Sequence, residues 1–423
     1  MDFIKRNLFD ELTKHLHAKE ISLIIGPRQV GKTTLMKKLN NALIRNGEKT
    51  LFLDLDFEPD KRYFFSQESF IQKLKLEFGE KGGVVFIDEI QRKENAGQFI
   101  KGIYDQELPF KFIVSGSGSL ELKEKIHESL VGRKRMFELL PVSFTEFVDY
   151  KTAYLYEHHL SEFFEMEKDK TENLLEEYLN FGGYPRVVTE QEFVEKRLVI
   201  SEIYRSYLER DVVYLLKIDK EESFSKMIML VASQIGKLMN YSNLTNLLGI
   251  SIQTLKKYLW YAEKTFVVFH SNPFFTNKIK EITKSKIYYF YDVGLRNFSI
   301  NLFGRFTREI GDGFLFQNFV ANILSEKIRH LNYSLNFWRT KDKAEVDIVI
   351  TKARDVLPIE VKYRVIKSSA VGKPLRSFID KYRPKRALII NLDYFAEMKI
   401  KDTTVTFLPF HHLFTRELSQ EFF

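Results

Sequence analysis

The chain has 423 residues, no cysteine, 44% hydrophobic residues and a formal net charge of +8 from 65 basic and 57 acidic side chains. That length predicts two to four domains, and the missing cysteines exclude disulfide staples and cysteine-ligated zinc and fit a reducing compartment. No apolar run reaches a membrane span and residues 1–6 lack a signal-peptide core, so a cytoplasmic protein with no membrane partner is expected; the basic excess suits a polyanion or an ordinary lysine-rich surface.

An amphipathic pattern over residues 1–19 (Ile4, Leu8, Phe9, Leu12, Leu16) predicts a helix leading into an apolar strand at Ile21–Ile25. Then comes Gly26-Pro27-Arg28-Gln29-Val30-Gly31-Lys32-Thr33-Thr34. It fills every fixed place of G-x-x-x-x-G-K-[ST] between a strand and a helix spanning 34–46. The glycines let successive N–H groups curl around one anion, and the positive helix end adds to the attraction. Lys32 is expected on the β- and γ-phosphates and the Thr33 hydroxyl on magnesium, so ATP and Mg²⁺ are the predicted ligands. A buried strand at Thr50–Leu55 and a mixed, mainly helical segment ending at Gly79 follow. Residues 82–90 read as a strand that runs into Asp88 and Glu89. Asp88 is placed to hold Mg²⁺, and Glu89 to orient and deprotonate the attacking water.

Phe112–Ser119 is another strand ending in small polar residues. Ser115, with Ser117 second, is placed to touch the γ-phosphate or the lytic water; a plain serine–glycine turn is the alternative. A helix is predicted at Leu120–Leu130, and a fifth strand at Met136–Pro141 follows Arg133. That arginine can reach a neighbouring subunit's γ-phosphate, or can be a simple surface residue.

These residues carry a resemblance. Gly26–Thr33, Phe86-Ile-Asp-Glu-Ile-Gln91, Ser115-Gly-Ser117, Gly132-Arg133 and Leu140-Pro-Val-Ser-Phe-Thr-Glu-Phe147 make residues 21–147 similar to the AAA+ ATPase domain. With Phe181-Gly-Gly-Tyr-Pro-Arg186, Tyr291-Asp-Val-Gly-Leu295 and Glu345-Val-Asp347 with Ile359-Glu-Val-Lys362, nearly the whole chain resembles a group of bacterial and archaeal AAA+ ATPases. Those carry a nuclease-like C-terminal domain of uncharacterised function. The resemblance implies ATPase activity and a DNA-related role, and a homo-oligomer is the expected assembly. Residues 150–222, helical apart from Gly182-Gly-Tyr-Pro185, would be the helical lid, with Arg186 as a second nucleotide sensor.

Further on, Asn240–Gly249 reads as a short capped helix ended by glycine. Ser251 caps a second helix, and Phe266–His270 and Pro273–Phe275 suggest a wing. This is the layout of a winged helix-turn-helix, whose second helix exposes Gln253, Lys256 and Lys257 to phosphates or base edges. The alternative is a module that packs only against its neighbours.

In the C-terminal part, strands are predicted at 286–292, 336–340, 346–350 and 357–362, with a helix at Gly311–His330. Strand side chains alternate, so Asp347 and Glu360 on adjacent strands converge with Lys362 on one spot. There two carboxylates can hold Mg²⁺ and a lysine can position water. This is the pattern of the PD-(D/E)xK nuclease fold. Relatives usually have a glutamate on the preceding helix; here that position is Gln317, a weaker metal ligand, which leaves cleavage weak or absent. A basic run from Lys362 to Arg386 fits a phosphate-gripping surface.

The fold expected is thus α/β, in four segments. They are a P-loop AAA+ domain (1–150), a helical lid (151–222), a winged helix-turn-helix (223–284) and a restriction-endonuclease-like α/β domain (285–423). The function expected is ATP hydrolysis coupled to binding or remodelling DNA, including forked or branched DNA. An ATP-gated protein-interaction switch and an ATP-regulated endonuclease are the alternatives.

Overall fold

The computed structural model describes residues 3–117, 129–206, 221–275, 285–307 and 312–415. The helix expected at 120–130 falls almost wholly outside them.

The N-terminal unit is a parallel sheet of β1 (Ile21–Gly26), β2 (Thr50–Asp54), β3 (Gly83–Asp88), β4 (Phe110–Ser117) and β5 (Lys134–Glu138), in the order β2-β3-β4-β1-β5. A parallel sheet is covered on both faces, so its central strands read as unbroken apolar runs; all six residues of β1 are buried. Helices α1 (Leu8–Lys14), α2 (Lys32–Arg45), α3 (Glu58–Lys61), α4 (Gln67–Phe78) and α5 (Ala96–Tyr104) belong to this unit. Ser66 begins α4 with a capping box, and Gly79 at φ +64° ends it. The register pairs Gly26 with Ser117 and Asp54 with Asp88, so the strand ends that carry chemistry share one sheet edge.

A helical segment follows: α6 (Phe144–Lys151), α7 (Leu160–Met166), α8 (Lys168–Phe181), α9 (Pro185–Thr189) and α10 (Phe193–Ser206). Then come α11 (Glu221–Ser233), α12 (Tyr241–Leu248) and α13 (Ile252–Lys264). Asn240 and Ser251 cap the last two by accepting from Asn243 and Thr254 N–H, and Gly249 closes α12 in the left-handed region. Beyond them lie β6 (Val268–Pro273), β7 (Ile287–Phe290), α14 (Val293–Ser299), α15 (Gly313–Ile328), β8 (Ser334–Arg339), β9 (Glu345–Lys352) and β10 (Asp355–Val361). The described chain ends with α16 (Lys373–Tyr382), β11 (Arg386–Asn391), β12 (Ala396–Ile400), β13 (Thr403–Pro409) and α17 (His412–Thr415).

Among the described residues the second sheet is mixed, in the order β12-β13-β11-β10-β9-β8-β6-β7. Here the architecture departs from the expected segmentation. The boundary at 284/285 runs between the two strands of one antiparallel hairpin, β6 and β7, and β6 also pairs in parallel with β8. The strand expected as the start of a separate C-terminal domain is therefore the partner of the strand expected as a wing. Pro273 is the last residue of β6 and residues 274–275 lie beyond it, so residues 273–275 form no second wing strand.

One apolar core crosses all these units. It runs from Ile24 and Phe86 through Leu179 and Ile200 to Ile348 and Leu408. Phe144, at the start of α6, sits at the crossing, with ring centroids 5.5 Å from Tyr178, 5.4 Å from Phe319 and 5.9 Å from Phe410. A polar seam runs beside it. Buried Asp292 accepts from Gly183 N–H at 2.7 Å and Leu295 N–H at 2.6 Å. A Cβ on Gly182 would lie 2.4 Å from Asp292 Oδ1, and one on Gly294 would lie 2.1 Å from the Phe181 carbonyl oxygen. The Gly-Gly and Asp-Val-Gly motifs are thus the two halves of one close contact between α8 and α14. Burial pushes the Asp292 carboxyl up to about 6. No described helix is long and apolar enough to cross a membrane.

Candidate functional site

A cleft of about 600 Å³ opens at the carboxyl edge of the parallel sheet. Its floor is the loop between β1 and α2. Gly26 is required there by space, since a Cβ would lie 2.0 Å from the Leu139 carbonyl oxygen. Gly31 is required by conformation: it starts α2 at φ +94° with no side-chain cap, leaving first-turn N–H groups for a ligand. Gln29 holds a left-handed φ of +59°, an uncommon conformation for a residue with a Cβ and one that clusters at ligand sites. Arg28, Gln29, Val30, Gly31, Lys32, Thr33 and Thr34 all line the cleft. The Lys32 ammonium is buried and donates to the carbonyls of Gly26 at 3.1 Å and Pro27 at 2.7 Å.

Asp88 ends β3 and is 1% exposed. Its Oδ1 accepts from Glu89 N–H at 3.1 Å and from the Ser115 hydroxyl. Its Oδ2 is buried with no hydrogen-bond partner among the described residues. A buried, partnerless carboxylate oxygen is costly unless something completes it, and its chemistry suits a hard divalent cation. Ser115 is fully buried and spends its hydroxyl on Asp88, so the structure places it as an orienter of that carboxylate rather than at the cleft surface. The side chain of Ser117 lies outside the described part. Glu89 lines the cleft at φ +55°, with its carboxylate receiving the Gln91 amide. Burial pushes its carboxyl above the ordinary range against the pull of Lys32, while Asp88 adds to the rise. That is the direction a general base needs in order to work near neutrality.

Arg186, on α9, lines the same cleft and is paired with Glu202 at 3.0 Å. Arg133 is elsewhere. Its carbonyl pairs with Ile21 N–H at the opposite edge of the sheet, and its guanidinium forks onto Asp105 at 2.7 and 3.2 Å. Any role across a subunit interface would first require releasing Asp105.

Several contributors escaped the sequence reading. Phe3, Ile4 and Arg6, from the segment before α1, line the cleft. Arg6 is 9% exposed, pairs with Glu146 at 3.0 Å, and donates to Val30 O at 3.0 Å and Leu140 O at 2.6 Å. It fastens the phosphate-loop backbone to the turn before α6, and its sequence neighbours carry no signal for those distant partners. Arg92 and Asp56, paired at 2.7 Å, also line the cleft. Arg92 stands three residues after Glu89 and was legible as a neighbour of that motif.

The second expected constellation is also assembled. Asp347 on β9 accepts from Val361 N–H at 2.8 Å, and burial pushes its carboxyl up to about 7. Glu360 on β10 is 8% exposed, with Lys362 Nζ 2.6 Å from its Oε1, while its Oε2 has no partner among the described residues. A Cβ on Gly372, the first residue of the α16 cap, would lie 3.5 Å from Glu360, so the carboxylate also sits against a helix N-terminus. Gln317 is buried on α15 and donates to the Tyr289 hydroxyl at 3.0 Å. Burial, and then the Asp347 charge, raise that phenol. Glu360 and Lys362 face a cleft of about 480 Å³ with Arg364, Lys367 and Ser368. No group of three or more His, Cys, Asp or Glu able to hold a metal occurs among the described residues. Gln253, Lys256 and Lys257 are exposed on α13, whose Leu255, Tyr258 and Leu259 are buried in the core.

Comparison with known proteins matches residues 18–148 to an AAA domain. The N-terminal unit is an AAA-type, nucleotide-binding ATPase domain. Residues 172–305 and 312–413 match two domains of unknown function, DUF8612 and DUF4143. The first of these runs from within α8 to beyond α14 and takes in α9–α13, β6 and β7, so it too crosses the expected boundary at 284/285. An uncharacterised protein of Methanocaldococcus jannaschii is 26% identical over 75% of this chain and 71% of its own length. One from Haemophilus influenzae is 22% identical over 96% of this chain and 97% of its own. Among solved structures, the Aeropyrum pernix ORC1 protein in complex with DNA is 11% identical, covering 71% of this chain and 94% of that one at a TM-score of 0.31. DnaA from Aquifex aeolicus bound to AMPPCP is 15% identical, covering 62% and 90% at 0.30. Superpositions this loose do not bear on what the chain binds.

Proposed function

We propose that the chain is a Mg²⁺-dependent ATPase that couples hydrolysis to binding or remodelling DNA, forked or branched DNA included. The observation that carries the catalytic part is the convergence of Lys32, Thr33 and Glu89 on one cleft, with buried Asp88 and its partnerless oxygen immediately before Glu89 at the end of β3. Magnesium, held by the Thr33 hydroxyl and Asp88, would supply positive charge against the phosphates. Lys32 exchanges its contacts with the Gly26 and Pro27 carbonyls for phosphate oxygens, which bind an ammonium more strongly because they are charged. Glu89 accepts the proton of the water that attacks the γ-phosphorus, Ser115 keeps Asp88 oriented, and Arg186 approaches the nucleotide from the lid side. Arg133 serves as a finger only where a neighbouring subunit draws it from Asp105.

The DNA part rests on Gln253, Lys256 and Lys257, exposed together at the start of α13 behind a glycine-ended α12. Leu247 and Ile252, 61% and 41% exposed beside them, favour a protein partner as the second reading. Cleavage by Asp347, Glu360 and Lys362 is the weaker expectation, because the third ligand position is Gln317 and is taken up by Tyr289.

The deciding measurement is the ATPase rate of the full chain and of Glu89→Gln with no DNA, duplex, fork and four-way junction. Turnover that Glu89→Gln lowers about a hundredfold or more while ATP stays bound supports the base. Stimulation by fork or junction, falling steeply with salt, supports the DNA coupling. Rates indifferent to every DNA point instead to the protein partner.

A further inference from the structure

Deepening that reading of the cleft, we infer that Gln91 is a positioning residue for hydrolysis, holding the Glu89 carboxylate in its working orientation. The Asp-Glu-Ile-Gln stretch leaves β3 in a single tight turn. Its backbone is pinned throughout: Glu89 sits at φ +55°, its N–H donates to Asp88 Oδ1 at 3.1 Å, and Arg92 N–H donates to Glu89 O at 2.9 Å. Ile90 is 0% exposed in the apolar core under the sheet, and Arg92 is tied to Asp56 at 2.7 Å.

A pinned backbone does not fix a glutamate side chain, which has three rotatable bonds and loses rotamer freedom when held. The Gln91 amide removes that freedom by donating to Glu89 Oε2 from within the same rigid turn. Oε1 is then left to take the water proton. A donor two residues away, carried on the same turn, keeps the base aimed without a contact from another element. The chemistry also fixes the residue type: the latch needs an N–H donor that never ionises, so a carboxylate of the same shape cannot replace it.

The test uses the full chain carrying Gln91→Ala or the isosteric Gln91→Glu, with kcat, KM and the dissociation constant of a non-hydrolysable ATP analogue measured for each. Both substitutions are expected to lower kcat about ten- to a hundredfold, with KM and analogue affinity within about twofold, because ground-state binding does not use Glu89. In single-turnover hydrolysis, adding Gln91→Ala to Glu89→Gln should change the rate less than about twofold, since Gln91 acts only through Glu89. Gln91→Glu preserves shape, so it decides the matter if Gln91→Ala folds poorly. A kcat within about twofold of wild type in Gln91→Glu, or a full additive loss in the double variant, overturns the inference. Undiminished turnover in Glu89→Gln removes the base itself, an outcome separate from failure of the latch alone.

Discussion

Two clefts in this molecule are built from the same three residue types, and they are prepared for different work. In each, a strand aspartate and a nearby glutamate come together with a lysine, and one buried carboxylate oxygen lacks a partner among the described residues: Asp88 Oδ2 in one, Glu360 Oε2 in the other. In the N-terminal cleft the lysine donates to two neutral carbonyls, while its charge also pulls on Glu89. The C-terminal cleft has already placed its lysine on the glutamate at 2.6 Å and set that glutamate against a helix N-terminus. Its aspartate is pushed up to about 7 by burial, so near neutrality it carries a proton about half the time. The lesson concerns where ligands come from. A nucleotide brings its own oxygens to a magnesium ion, so one carboxylate and one hydroxyl suffice on the protein side. A cation in the C-terminal cleft must draw on the chain, and the third position there is a glutamine bound to Tyr289.

The largest expected effect separates the clefts outright. Lys32→Ala should abolish retention of a fluorescent ATP analogue and lower turnover by about a hundredfold or more, while Lys362→Ala leaves both unchanged. Equal losses from the two would erase the distinction. Next, the seam joining the halves should fail as a unit. Gly182→Ala puts a Cβ 2.4 Å from Asp292 Oδ1 at φ +74°, at a cost of about 2 kcal/mol or more. Because the core is continuous, thermal unfolding should shift as one transition; two separated transitions would mean the clefts belong to independent domains.

A comparable effect is expected in the opposite sense from Gln317→Glu, which supplies the missing carboxylate. Calorimetric titration of the full chain with Mn²⁺, in an Asp88→Asn background to silence the first cleft, should show binding that the Asp88→Asn chain alone lacks. The smallest expected effect is a pH dependence. The folded-state value of Asp292, about 6, lies above the unfolded carboxylate range, so the folded chain holds this proton more tightly. Its contribution to stability is therefore full below about pH 4 and is lost as pH rises through 6. In urea unfolding between pH 4 and 7, the deficit of Asp292→Asn relative to the parent should shrink as pH rises. A deficit that grows would reverse the sign assigned to this group.

The phosphate loop, the strands β1 to β4 and the capped helices α12 and α13 were legible because their causes are local. They follow from a buried parallel strand's apolar run, glycine's freedom at Gly31, and side-chain caps at Asn240 and Ser251. Pairing of Asp347 with Glu360 was legible for the same reason, since alternation along two neighbouring strands fixes which side chains meet. What the chain did not disclose depends on partners distant in sequence. Ser115 was visible as a polar residue on a strand, but its hydroxyl belongs to Asp88, 27 residues earlier. Arg6 gave no sign that it would reach Val30 and Glu146, 24 and 140 residues away. The joining of β6, β7 and β8 in one sheet was hidden too, because a strand's sequence encodes its burial and not the identity of its neighbour. Residue order thus determined which groups can bind phosphate or metal; only the closed fold decided which already have partners, because a buried polar atom's behaviour depends on what packing brings within hydrogen-bond reach.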